Sequence, residues 1–262
     1  MKRASISNRN LLSVILLVLI LWGIINFDWK DPILHPGGAD TLLDFLAAAI
    51  RPELSSTFIL LVIQSAWTTV TYAVAGLCLG ILVGIFSATT ALWVGRRDKV
   101  INRLCVSSIR IFLGFLRAVH ELVWAWLFIV AFGLTPMAAI LALAIPYGGM
   151  LGRVYYDTLL VAPEPPIRAI QSTGASDLKV LIHGHLPLAL PDLVSYTFYR
   201  FECAIRAAAV MGFVGIGGLG MQIELSLSDL LFNEVWTLLY AMIFLVVVVD
   251  VWSSVIRKNL TK

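Results

Sequence analysis

The sequence predicts an all-α integral membrane protein with about six transmembrane helices. Hydrophobic residues make up 60% of the 262 and charged residues 13%, about half the charge that a water-facing surface carries. Mean hydropathy is +0.91. The apolar residues gather in stretches near 20 residues long, and the connecting segments alternate in charge, which is the pattern of a chain threaded through a bilayer. Eight Trp, 13 Phe and 19 Gly suit interfacial aromatic belts and closely packed membrane helices. This composition excludes a disordered or collagen-like chain.

The first predicted span is 11–27, preceded by Lys2, Arg3 and Arg9. A cleaved secretory signal would end in small residues, but Asp28-Trp29-Lys30-Asp31-Pro32 follows, so a retained anchor is expected. The second span is placed at 64–93, with 58–63 at the interface. The remaining four are 111–132, 137–156, 193–215 and 235–256. Within the second, Gly76, Gly80 and Gly84 recur every fourth residue on one helix face, where another backbone can approach closely. Gly148 and Gly152 repeat the device beside Pro146.

Charge sets the expected orientation. Lys and Arg concentrate in the N-terminal tail, at 96–103 (Arg96, Arg97, Lys99, Arg103), at Arg168 and Lys179, and in the tail with Arg257, Lys258 and Lys262. The alternate segments are acidic or neutral: Asp28, Asp31, Asp40, Asp44 and Glu53 outnumber Lys30 and Arg51. The last such loop holds Glu224, Asp229 and Glu234 without Lys or Arg. Positive segments remain in the cytoplasm, so both termini are expected there. The chain then divides into 1–57 (cytoplasmic tail, first anchor, periplasmic segment), a membrane domain at 58–256, and a cytoplasmic tail at 257–262.

The segment 163–187, PEPPIRAIQSTGASDLKVLIHGHLP, lies between the fourth and fifth spans. Its middle is expected to form a short helix over 167–181, with Ile167, Ile170, Leu178 and Leu181 on one side. Gly174 would sit mid-helix, at a cost of about 1 kcal/mol relative to Ala. A surface loop that merely reverses the chain is the alternative.

Ionisable residues inside spans are costly and mark candidate sites. Arg117 and Glu121 stand four apart on the third span, as do Glu202 and Arg206 on the fifth, and mutual neutralisation is the plain reading of both pairs. Arg200 has no partner at helical spacing. It could reach Glu121 across the bundle or line a path for an anion, which its planar fork suits. Arg153 and Asp157 form another pair of this spacing, expected at the interface. Gly215-Ile216-Gly217-Gly218-Leu219-Gly220 satisfies G-x-G-x-x-G but ends an apolar span, so a close-packed turn is expected rather than a dinucleotide site. His183 and His185 lack further ligands of suitable type nearby, and Cys78, Cys105 and Cys203 are in no metal or redox spacing. No metal or catalytic site is expected.

Gly174-Ala175-Ser176 followed by Leu186-Pro187 resembles the coupling loop of bacterial ABC-importer permeases. Arg168, Ala169 and Ile170 stand where that family has Glu-Ala-Ala, and Gly184 replaces a larger aliphatic residue. RAVHELVWAWLFIVAFGLTPMAAILALAI (117–145), GMLGRVYYD (149–157) and SYTFYRFECAIRAAAVMGFVGIGGLG (195–220) are similar to the phosphonate-type permeases among them. The resemblance covers roughly 58–256. It implies the type I importer permease fold in a bacterial inner membrane and a homodimeric pore. It also implies cytoplasmic ATP-binding subunits that dock on the loop, and a periplasmic binding protein that delivers a phosphonate. Phosphite, hypophosphite or phosphate are the runner-up cargoes, and methionine or an osmolyte comes after them. The chain has no GxxxxGK[ST], so ATP and Mg are expected in the partner and no cofactor here. An intramembrane hydrolase would need a Ser partner for His120, and an ion channel has no use for the loop.

Overall fold

The computed structural model describes residues 2–26, 37–95 and 100–260. All regular elements among them are helical. Arg96, Arg97, Lys99, Asp28, Lys30, Asp31 and Lys262, used in the charge argument, lie outside the described residues. The chain forms two compact units, Met1–Ala47 and Ala48–Lys262. In the first, α1 (Lys2–Asn26) exposes apolar side chains from Leu11 to Ile25, among them Leu12, Ile15, Leu19 and Trp22. Such a helix suits lipid on every side. A second helix, α2 (Gly38–Ala48), follows.

The second unit is built around α6 (Pro136–Leu160), which packs against α3 (Ser56–Gly95), α4 (Val100–Ala118), α5 (Glu121–Phe132) and α9 (Leu186–Met211). Ala142, Leu143, Tyr147, Leu151 and Tyr155 of α6 are buried. The glycine face read from the sequence is the α3–α6 contact. A Cβ at Gly76 would lie 2.6 Å from the Leu143 Cβ, one at Gly80 3.2 Å from the Gly148 nitrogen, and one at Gly84 2.9 Å from the Leu151 Cβ. Interhelical packing in a membrane rests on this kind of close approach.

Among the described residues, four helical stretches are long and apolar enough to cross a bilayer: Ser56–Val94, Pro136–Leu160, Asp177–Ser228 and Phe232–Asn259. Asn10–Asn26 is apolar but shorter. The predicted third span, 111–132, is not one straight helix. It is broken between α4 and α5, whose axes differ by 85°, and counts as a fifth crossing only if both halves belong to one span. The cause lies at His120, whose backbone is extended (φ −63°, ψ 144°) and whose Nδ1 accepts from the Leu122 nitrogen at 3.2 Å. His120 therefore caps α5, and Glu121 in its first turn complements the helix dipole.

After α6 come α7 (Glu164–Ser172), α8 (Asp177–Val180) and a π-helical turn (Leu181–His185), which leads directly into α9. A 3₁₀ turn (Gly212–Val214), α10 (Leu219–Ser228) and α11 (Phe232–Leu260) complete the chain. Gly215, Gly217 and Gly218 have φ of 85°, 112° and 82°, conformations that favour glycine. They form the close-packed turn expected there. The Leu219 nitrogen donates to Thr69 Oγ1 at 3.0 Å and the Tyr72 hydroxyl to the Ile216 carbonyl at 3.4 Å.

Candidate functional site

The segment 163–187 is a helix, a tight turn and a second helix, not one helix through Gly174. Prolines open α7, Arg168 pairs with Glu164 one turn back, and Ser172 and Thr173 turn their hydroxyls onto the Ala169 and Ile170 carbonyls at 2.8 and 2.7 Å. Gly174, at φ +76°, donates its N–H to the Gln171 carbonyl at 3.0 Å. It is a left-handed helix stop. Nothing lies within 4 Å of where its Cβ would be.

This division changes the predicted apolar side. Ile167 is buried and Ile170 partly so, while Leu178 is 64% exposed because it belongs to a different helix. Gly184 is buried, with its missing Cβ 3.3 Å from the Ile170 Cδ1. A larger side chain there would push Ile170 off its seat. His185, also buried, joins its Nδ1 to the Leu159 carbonyl at the end of α6, 2.9 Å away. The segment is thus fixed to the bundle from within, while Arg168, Ala169, Gly174, Ser176, Leu186 and Pro187 are exposed and Ala175 half-buried.

Within the bundle, His120 and Glu121 at the α4–α5 break, Tyr147 and Met150 of α6, and Arg200 and Arg206 of α9 line one cavity of about 310 Å³. Two guanidinium groups and one carboxylate line it. Arg200 does have a partner at helical spacing: its Nε donates to the Tyr196 hydroxyl at 2.7 Å, and it lies over the Tyr196 and Tyr199 rings at 5.0 and 5.4 Å. Arg206 is exposed, and its Nη2 donates to the Cys203 sulfur at 3.7 Å.

Among the described residues, two of the three predicted ion pairs, Arg117–Glu121 and Glu202–Arg206, do not form. Arg117 ends α4 and Glu121 begins α5 across the 85° bend, so helical spacing does not apply to them. Arg117 is exposed and outside the cavity. Glu202 meets Arg257 of α11 instead, at 2.9 Å, though without the alignment of a hydrogen bond. Arg153 and Asp157 do pair, at 3.8 Å, and Arg110 of α4 joins them at 3.6 Å. Sequence spacing could not have found Arg110, because its partner is on another helix.

Residues 76–262 match the family described as the binding-protein-dependent transport system inner membrane component. Over 191 residues the chain is 32% identical to the phosphite transport system permease protein PtxC of Stutzerimonas stutzeri, covering 73% of this chain and 68% of that one. Over 223 residues it is 26% identical to the phosphate-import permease protein PhnE of Mycolicibacterium smegmatis, covering 85% of this chain and 41% of that one. An inward-facing crystal structure of the MetNI methionine ABC transporter superposes with a TM-score of 0.69 at 21% identity, over 80% of this chain and 100% of that one. At that identity the likeness is one of fold.

Proposed function

We propose that this chain, which belongs to the family of inner-membrane components of binding-protein-dependent transport systems, carries a phosphonate or a related phosphorus oxyanion such as phosphite or phosphate inward by alternating access. The cavity of Glu121, Arg200 and Arg206 carries the reading, because two guanidinium groups against one carboxylate along a single open cavity suit an anion. The phosphite and phosphate permeases among its relatives support the same class of cargo.

In this reading two copies form the pore, and ATP with Mg is hydrolysed by cytoplasmic subunits. The segment 163–187 is the surface on which those subunits dock, through exposed Arg168, Ala169, Gly174, Ser176, Leu186 and Pro187, with Ile170 and Ala175 half-buried among them. Both termini lie in the cytoplasm, and a periplasmic binding protein delivers the cargo. Glu202 has a structural role through Arg257, and Arg117 lies outside the path.

The test is uptake by proteoliposomes holding this chain, its ATPase and its binding protein. ATP-dependent accumulation of labelled phosphite, phosphate or methylphosphonate is expected. Accumulation of methionine with none of these anions would overturn the reading.

A further inference from the structure

A second basic cavity, of about 540 Å³, lies between α4 and α6 and is lined by Val106, Ser107, Arg110, Ile111, Gly114, Arg153 and Tyr156. It shares no lining residue with the cavity of Arg200 and Arg206. On α6 its residues fall six positions beyond Tyr147 and Met150, about 9 Å further along the axis, toward the end from which 163–187 departs.

Two guanidinium groups here share one carboxylate. Arg110 Nη2 is 3.6 Å from Asp157 Oδ1 and Arg153 Nε is 3.8 Å from Oδ2. Both distances exceed those of good charge-assisted hydrogen bonds, about 2.7–2.9 Å, so Asp157 holds the pair without saturating it. One positive charge is left over. Arg110 also lies over the Tyr156 ring, 5.7 Å from its centre, which keeps the guanidinium at the cavity wall. Ser107 adds a hydroxyl. Beside the opening, Ile111, Phe112 and Phe115 are 70%, 60% and 59% exposed, so the cavity borders an apolar face of α4.

We infer that Arg110 and Arg153 form a second binding site for a tetrahedral phosphorus oxyanion, with Asp157 as the internal counter-ion that the ligand displaces. Two sources supply that group: the cargo itself, or the headgroup of an anionic phospholipid lying along the apolar face of α4. In counting the cargo as a source, the inference rests on the function proposed above.

The purified full chain in nanodiscs of phosphatidylcholine is titrated with phosphite and followed by ³¹P line broadening. A parallel set of nanodiscs contains phosphatidylglycerol, and its retention by the chain is read by native mass spectrometry. Read in an Arg200→Gln background, which removes the first cavity's contribution, loss of phosphite binding by about tenfold in the Arg110→Gln, Arg153→Gln double variant assigns the site to free oxyanion. Loss of phosphatidylglycerol retention alone assigns it to the headgroup.

Asp157→Asn, which removes the competing charge, should tighten whichever ligand is bound by several-fold. Arg110→Lys with Arg153→Lys keeps the charge and guards against misfolding, and should bind at an intermediate strength. If the Gln double variant binds both ligands as the wild type does, or Asp157→Asn weakens binding, the site does not exist. Failure of the uptake assay with every phosphorus oxyanion would overturn the proposed cargo, yet leave the phosphatidylglycerol measurement able to decide this site.

Discussion

Glu202 on α9 meets Arg257 on α11 at 2.9 Å, and not Arg206 one turn along its own helix, whose guanidinium lies against the Cys203 sulfur. The pair ties two helices at a point where Phe198 and Phe201 also meet Trp252 edge-on. The Glu202 side chain is 6% exposed and that of Arg257 27%, so losing one partner is not equivalent to losing the other.

Arg257→Gln leaves a buried carboxylate unpaired and should be the worse change. Breaking a buried pair costs about 3–5 kcal/mol, and the partial exposure of Arg257 puts this one toward or below the lower end. Glu202→Gln leaves a guanidinium that can reach water and should cost less. Thermal unfolding in detergent should rank the variants in that order, with Arg206→Gln near wild type. Recovery of stability in Glu202→Arg with Arg257→Glu would mark a true pair, and recovery in Glu202→Arg with Arg206→Glu would refute it.

At the α3–α6 contact, Gly76→Ala puts a methyl 2.6 Å from the Leu143 Cβ, a buried branch that cannot turn away. Overpacking of this kind costs about 1–3 kcal/mol. Gly23→Ala on α1 meets nothing within 4 Å and should hold or slightly raise stability, since Ala is the better helix former. Equal melting of the two variants would mean that α3 and α6 are not in close contact.

The stop at Gly174 reverses the ordering expected of a glycine in a helix interior. Its φ of +76° with open space around it means that Gly174→Ala strains the backbone, by about 1 kcal/mol, while Gly174→Asn is tolerated better. Gly174→Trp carries the same backbone strain as Gly174→Ala, and its Cβ meets nothing within 4 Å, so an effect well beyond that of Gly174→Ala must come from a docked partner. The Trp variant should insert and dimerise normally while losing substrate-stimulated ATP hydrolysis in the reconstituted complex. Normal coupling in that variant would move the docking surface elsewhere.

What could be read from the sequence was what depends on spacing along one helix. Gly76, Gly80 and Gly84 announce a close contact because their period is that of a helix face. Arg153 and Asp157 announce a pair for the same reason. The break before Glu121 could not be read in this way, since no glycine or proline marks it and the apolar run continues on both sides. Its signal was His120-Glu121 as a cap and first turn, hidden inside a stretch hydrophobic enough to be one span. Gly174 was visible as an anomaly, but helix-interior cost and helix stop differ only in the sign of φ. The partners of Glu202 and Arg200 needed tertiary structure or an aromatic ring, which charge spacing does not count.

The positive segments predict which side of the membrane 163–187 faces. In a background lacking Cys78, Cys105 and Cys203, Asp40→Cys should react with a membrane-impermeant maleimide added outside, and Asp177→Cys only after permeabilisation. Both positions are exposed, so failure to react cannot be put down to burial. Labelling of Asp177→Cys from outside would invert the orientation.

Arg200 separates an anion path from a structural charge. Its Nε is committed to the Tyr196 hydroxyl and its plane rests over Tyr196 and Tyr199. The guanidinium is therefore held in one pose, with its outer N–H groups free to be offered to the cavity that Glu121 and Arg206 share. A charge-assisted hydrogen bond contributes about 1.5–3 kcal/mol, or about ten- to a hundredfold in affinity. Arg200→Gln should assemble with its ATPase yet take up phosphite at a tenth of the wild-type rate or less at low concentration. Arg200→Lys keeps the charge but loses the fork and should fall between. Tyr196→Phe removes the bond to Nε while leaving charge and ring, so it should weaken uptake less than Arg200→Lys does. A purely structural Arg200 would give another pattern: Arg200→Gln would lower melting temperature and assembly, and uptake per assembled complex would stay at the wild-type level. That result would take Arg200 out of the path.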